Sequence, residues 1–278
     1  MRQEGENREE KAVKQRSHVL YLLVFFFLLP TPSFLQGESA IEQQAKYAWA
    51  SREEPGRTED AIRLWTQAVA AEPERLDLRI SLAKVLGRGV RHAPDAKQQK
   101  IWADQARAAA EEAVRLGPKS ADAYTIYGEA LGQWADVNKG VHSLSSVRKA
   151  VSSLQIAIGL DPRHAYAHML LAEFYRQTPR LISVGNKEKA LAQAKLAVEY
   201  GPEYAINHLV LARAFLDLGK HDEAITELQK ILALSAPEDA IPETHADQET
   251  AQTMLHSLGV NPPQPACGES GAACVEHP

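Results

Sequence analysis

One spaced pattern recurs five times along this chain: Ala, three residues, a core-sized residue, two residues, a small or apolar residue, and then a proline. It reads Ala61–Trp65–Ala68–Pro73, Ala106–Ala110–Ala113–Pro118, Ala150–Leu154–Ala157–Pro162 and Ala190–Ala194–Ala197–Pro202. A fifth copy, Ala224–Leu228–Ile231, has its proline one residue late at Pro237. Steps of four and three place the three side chains on one helical face, and the proline closes each helix. Self-similarity at this scale predicts a stack of helix pairs, each pair unable to bury its apolar face alone.

Each copy reads as the second helix of a hairpin, and a first helix is legible upstream. Leu82–Ala83–Leu86, Tyr127–Gly128–Leu131, Leu171–Ala172–Tyr175 and Leu211–Ala212–Phe215 share one spacing: large, small, then large three residues on. A small side chain there lets two helix backbones approach, and the large ones fill the gap on either side. Residues 41–52 form the matching first helix of the first pair, with Trp49 where a small residue is expected.

On these residues the chain resembles the tetratricopeptide repeat family. The last copy carries the resemblance best, through Leu211, Ala212, Phe215, Ala224 and Leu228 with the turn LGKHDEA between the helices. The resemblance implies an all-α, right-handed α-solenoid of about five hairpins over residues 40–260, ending in a capping helix from Thr244 to Leu258. Successive prolines lie 45, 44, 40 and 35 residues apart, against the family's 34. The excess falls between the two helices of a pair, in residues 87–102, 132–149 and 176–189. Those residues either crowd one rim of the stack as loops or simply lengthen helices.

The first forty residues differ from the rest. A charged start containing Lys11, Lys14 and Arg16 precedes the apolar run Val19–Leu29, and Pro30, Thr31, Pro32 and Ser33 follow. A basic lead, a short apolar run and small residues predict a secretory signal peptide over residues 1–39, cleaved after Gly37 or Ser39. Eleven residues make about 16 Å of helix, roughly half a bilayer core, so an uncleaved anchor is the alternative. The chain is therefore expected to be exported, periplasmic or secreted, and to touch a membrane only if the segment is retained. Cys267 and Cys274 in the tail 261–278 are then expected to close a small disulfide loop.

The concave face of such a stack is lined by first helices. Its early copies present Asp77, Lys84, Asp122, Thr125 and Glu129. The later ones present Tyr166, Met169, Glu173, Arg176, Ile206, Leu209, Arg213 and Leu216. Partner contact is assigned to Tyr166, Met169, Glu173, Arg176, Ile206, Leu209 and Arg213, a largely apolar surface suited to a peptide or partner helix. A capping helix or a second subunit covering that face is the competing expectation. Tetratricopeptide domains that grip a chaperone's terminal carboxylate use Lys and Asn at fixed positions. Only Lys46 matches, which argues against that mode.

His164 and His168 lie four apart, a spacing able to hold a metal. His168 and His208 share one repeat position with Tyr124, which favours packing, and no metal or cofactor is assigned. Neither G-x-S-x-G, H-E-x-x-H nor a phosphate-binding glycine loop occurs, so no catalytic residue is assigned. A net charge of −5 argues against a nucleic-acid partner. The function expected is a non-catalytic exported scaffold binding a protein or peptide in the cell envelope, with a homo-oligomer compatible. The alternative is solute handling, since the second half is similar to the T component of tripartite ATP-independent periplasmic transporters.

Overall fold

Eleven α-helices and one 3₁₀ turn make up the secondary structure of the described residues. The computed structural model describes residues 38–178, 184–237 and 240–260, and those from Ile41 onward belong to one compact unit. The leader, apart from Glu38 and Ser39, and the Cys267–Cys274 pair lie outside the described residues. The helices are α1 (Ala40–Ala50), α2 (Arg57–Ala71), α3 (Leu76–Gly89), α4 (Ala96–Leu116), α5 (Ala121–Val137) and α6 (Val141–Leu160). They continue as α7 (Ala165–Gln177), α8 (Lys187–Tyr200), α9 (Ala205–Leu216), α10 (His221–Ala233) and α11 (Ile241–Ser257). The chain folds as an α-solenoid of five helix pairs with α11 as its cap. Pro242 sits in the first turn of α11, which starts the helix three residues ahead of Thr244.

The prolines build four near-identical turns between pairs. Each follows one residue after a helix ends, and the residues before them (Glu72, Gly117, Asp161 and Gly201) are all pushed out of the helical region, with ψ between 64° and 98°. Each of those residues donates its N–H back to a repeat alanine: Ala68, Ala113, Ala157 or Ala197. Each turn then closes when the residue three further on donates to the carbonyl of the pre-proline residue, over 3.2, 2.9, 3.2 and 3.4 Å. Ser120 and His164 cap the helices that follow by accepting from the Ala123 and Ala167 N–H groups. Within the last pair, Gly219 adopts φ +70, a left-handed turn that ends α9 as the Lys220 N–H reaches back to Phe215.

The repeated pattern is the core. Ala61, Ala106, Ala150, Ala190 and Ala224 have no exposed surface, and apart from the prolines, of which the first four lie exposed in the turns, no other member of the pattern exceeds 4% exposure. First helices stack on one another as an inner row, with α3 against α5, α5 against α7, α7 against α9 and α9 against α11. The cap thus takes the place of a sixth first helix. Leader-proximal α1 is held by Ala45 and Ala48 in the core and by a two-pronged ion pair from Glu42 to Arg75, at 3.0 and 2.9 Å.

In the second and third pairs the inserted residues mainly lengthen helices: α4 runs 21 residues and α6 runs 20, against 13 for α10. The loops before α4 and α6 shrink to a few residues each, so these two insertions do not form a loop rim.

Gly128 tests how tight the nesting is. A Cβ built there lies 2.8 Å from Leu154 Cγ and 3.2 Å from the Ala150 carbonyl oxygen, and Leu154 is wholly buried. Neither neighbour can retreat, so Gly128→Ala is expected to cost about 1–3 kcal/mol despite alanine's better helix propensity. Urea unfolding checks this; an unchanged midpoint would show slack between α5 and α6.

Candidate functional site

The inner row of helices encloses a cleft of about 810 Å³, with α11 lying along one side of it. Helix α5 contributes Glu129, Gly132, Gln133 and Asp136, a stripe at steps of three and four. Helix α7 contributes Tyr166, Met169, Leu170, Glu173, Phe174 and Gln177, α9 gives Ile206, Leu209 and Arg213, and α11 gives Glu243, Ala246, Asp247 and Thr250. Leu144 and Val147 of α6 also line it, and Trp49, Arg52, Glu53, Arg88 and Arg91 do so from the leader-proximal end.

Of the seven residues assigned to partner contact, the structure brings all but Arg176 to this cleft. Tyr166, Glu173, Ile206 and Arg213 are half-buried, whereas Met169 and Leu209 are nearly fully buried, at 5% and 1% exposure. Those two belong to one apolar cluster with Ala251 and Leu255 of α11, so the apolar floor of the cleft is continuous with the core under the cap. Arg176 is occupied elsewhere, pairing with Glu173 at 3.1 Å and with Asp217 at 3.5 Å. Among the earlier positions, Glu129 lines the cleft. Asp77 instead pairs with Arg75, while Asp122 and Thr125 meet the His164 ring at 3.0 and 3.5 Å.

Sequence reasoning missed Arg52, Arg88 and Arg91 and the acidic face of the cap. Glu243 binds Arg52 across 191 residues of chain and Arg88 at 3.3 Å across 155, tying α11 to the turn after α1 and to α3. The Arg52 guanidinium also lies over the Trp49 ring at 4.6 Å. Arg88 stands 3.8 Å from Glu129 and over the Tyr166 ring at 5.6 Å. Burial works against the Arg88 cation, but Tyr166, Glu129 and Glu243 outweigh it and hold it charged. Burial, aided by Glu129, raises the Tyr166 hydroxyl well above its ordinary range, so it stays protonated. One signal was available: Glu243, Asp247 and Thr250 fall at steps of four and three, about a quarter turn round the helix from Thr244, Ala251 and Leu255.

The histidines are structural. His168 Nε2 lies 3.0 Å from the Pro162 carbonyl oxygen and its Nδ1 2.6 Å from Gln193. His208 repeats the arrangement on Pro202, with Nδ1 2.6 Å from Glu227. Both rings tie a first helix to the turn before it and to its own second helix. Burial pushes the Glu227 carboxyl up, but His208 and Lys230 more than offset this and leave it below its usual value.

Burial raises two cleft carboxyls, Asp136 and Asp247, and Asp247 is shifted far. Burial pushes its carboxyl up to about 6; Arg213 pulls it down, Glu243 pushes it up, and Arg91 pulls it down again. A raised carboxyl favours the fold while protonated, and that contribution fades as pH climbs from about 4, the unfolded value, through 6. Asp247→Asn should therefore raise Tm by about 3 °C at pH 7.5 and leave it unchanged at pH 4. Thermal melts at both pH values check this; a lower Tm at pH 7.5 would mean that Arg213 and Arg91 outweigh burial.

A family model described as regulator of microtubule dynamics protein 1-3 matches residues 42–187, just over half of the chain. A tetratricopeptide repeat model matches residues 180–239. Among solved structures, a thermophilic TPR protein from Thermus thermophilus is 19% identical, with 77% of this chain and 100% of that one covered, at a TM-score of 0.59. MamA is 18% identical over 77% and 98%, at 0.44. YrrB, a TPR protein with an unusual peptide-binding site, is 17% identical over 80% and 93%, at 0.40. The first of these supports the tetratricopeptide-type stacking. No curated protein matches the chain.

Proposed function

Because this chain belongs to the family of regulator of microtubule dynamics proteins 1-3, we propose that it is a non-catalytic scaffold holding a segment of a protein partner in the cleft between its inner helices and α11. The observation that carries this reading is the cleft itself. About 810 Å³ is walled by inner helices from successive repeats and by the cap, with apolar side chains beside both signs of charge. Each repeat is braced by its neighbours, so the cleft exists before the partner arrives and little ordering opposes binding.

Location follows from the leader. Its basic lead and short apolar run support export to the cell envelope, where the partner would be met. The family name supports a second reading, in which Val19–Leu29 is kept as an anchor and the repeats face polymerised tubulin.

Ile206→Glu and Leu144→Glu place charges on half-exposed cleft residues and should spare the fold, unlike changes at Met169 or Leu209. With melting temperatures within about 2 °C of wild type, each is expected to lose partners that the wild-type protein retains from an envelope extract. Co-sedimentation of the wild-type protein with microtubules would move the partner to the tubulin side. Folded variants that keep every partner would remove the cleft as the binding surface.

A further inference from the structure

Four guanidiniums reach the cleft, and two of them leave their donors unused. Arg52 is spent on Glu243 and the Trp49 carbonyl oxygen, and Arg88 on Glu243 and Glu129. Arg91, in the 3₁₀ turn after α3, and Arg213, on α9, line the same cleft. Among the described residues neither donates a hydrogen bond, and no carboxylate stands at ion-pair distance from either. Both can be reached. Arg91 is exposed, and half-buried Arg213 has no nitrogen sealed away without a partner. A guanidinium offers five N–H donors in a planar fork, and in a partly apolar cleft it draws an anion more strongly than in open water.

Three surroundings define the anion. Arg91 and Arg213 both act on Asp247 of α11, so their fields overlap at one place beside the cap. Asp247 is a poor counter-ion for them, because burial, with Glu243 adding to it, pushes its carboxyl up to about 6. Glu243 and Asp247 together would repel a doubly charged phosphate, whereas the single charge of a carboxylate is outweighed by two guanidiniums. Ile206, Leu209 and Arg213 form one stripe on α9 at steps of three and four, and Ala246 and Thr250 flank Asp247 on the facing side. A peptide laid against Ile206 and Ala246 therefore meets Arg213 where the apolar track ends.

We propose that Arg91 and Arg213 form a subsite for a carboxylate of the protein partner, carried by an acidic side chain or by the end of its chain. This rests on the scaffold reading above and gives it a specificity. The carboxylate accepts from both guanidiniums through charge-assisted hydrogen bonds, while Ile206 and Ala246 take the apolar part of the same segment. Asp247 tempers the site, since its negative charge competes with the incoming one.

The test uses the full chain and three synthetic libraries of 12-residue peptides. One has a central glutamate and an amidated end, the second a central glutamine and an amidated end, and the third a central glutamine and a free terminal carboxylate. Wild-type protein is expected to retain a carboxylate-bearing library about tenfold more strongly than the neutral one, and the library preferred names the source. Arg91→Gln and Arg213→Gln, with melting temperatures within about 2 °C of wild type, should each remove most of that preference. Asp247→Asn, which keeps the shape and removes the competing charge, should increase it. A variant carrying both Arg91→Gln and Arg213→Gln that keeps the full preference would overturn the subsite. Equal retention of all three libraries, lost in Ile206→Glu, would overturn the subsite and leave the cleft reading standing. Retention of none by wild-type protein would overturn both.

Discussion

Five alanines with no exposed surface set the distance between helices in this protein. At Ala61, Ala106, Ala150, Ala190 and Ala224 a single methyl group separates one backbone from the next, and any larger side chain would push the pair apart. Because the same contact recurs in every pair, it also sets the rise and turn from one pair to the next. The prolines cooperate by ending the first four second helices at one place, and a second set of repeat alanines, Ala68, Ala113, Ala157 and Ala197, accepts the last hydrogen bonds of those helices. Packing and chain reversal are therefore specified by the same repeat.

The cleft is a consequence of that regularity. First helices stack edge to edge as an inner row, and α11 continues the row in place of a sixth first helix. With the row in place, residues at steps of three and four on α5, α7, α9 and α11 converge on a shared space. Keeping that space open fixes few further degrees of freedom, because each wall is part of a core that must form in any case. Longer helices α4 and α6 thicken the outer layer of the second and third pairs and leave the inner row unchanged in order.

Residues that act through local spacing were legible in the sequence; those that act through curvature were not. The small positions Ala83, Gly128, Ala172 and Ala212 could be read because a close helix crossing tolerates nothing else. Glu129, Tyr166, Glu173, Ile206 and Arg213 could be placed on the concave face because helix periodicity fixes direction once the hairpins are known. Met169 and Leu209 were placed on the correct face, but they are buried in one apolar cluster with Ala251 and Leu255 of α11, and no spacing within α7 or α9 announces that. Arg52 and Arg88 were invisible for a related reason. Their partner Glu243 lies 191 and 155 residues away, and only the summed rotation of five pairs brings them together.

The ion pairs that close the cleft act on geometry more than on stability. Arg52 is almost fully buried and Glu243 largely so, and removing two charges from water offsets much of what their attraction returns. An apolar contact at the same place would hold α11 as firmly, but it would accept several registers of the helix, since one methyl group packs much like another. A carboxylate bridging two guanidiniums, one from the turn after α1 and one from α3, accepts one. Fixing α11 in that register sets Asp247 in the field of Arg213 and Arg91 and keeps Leu255 in the core. The charged residues thus decide where the cap lies along an otherwise largely apolar trough.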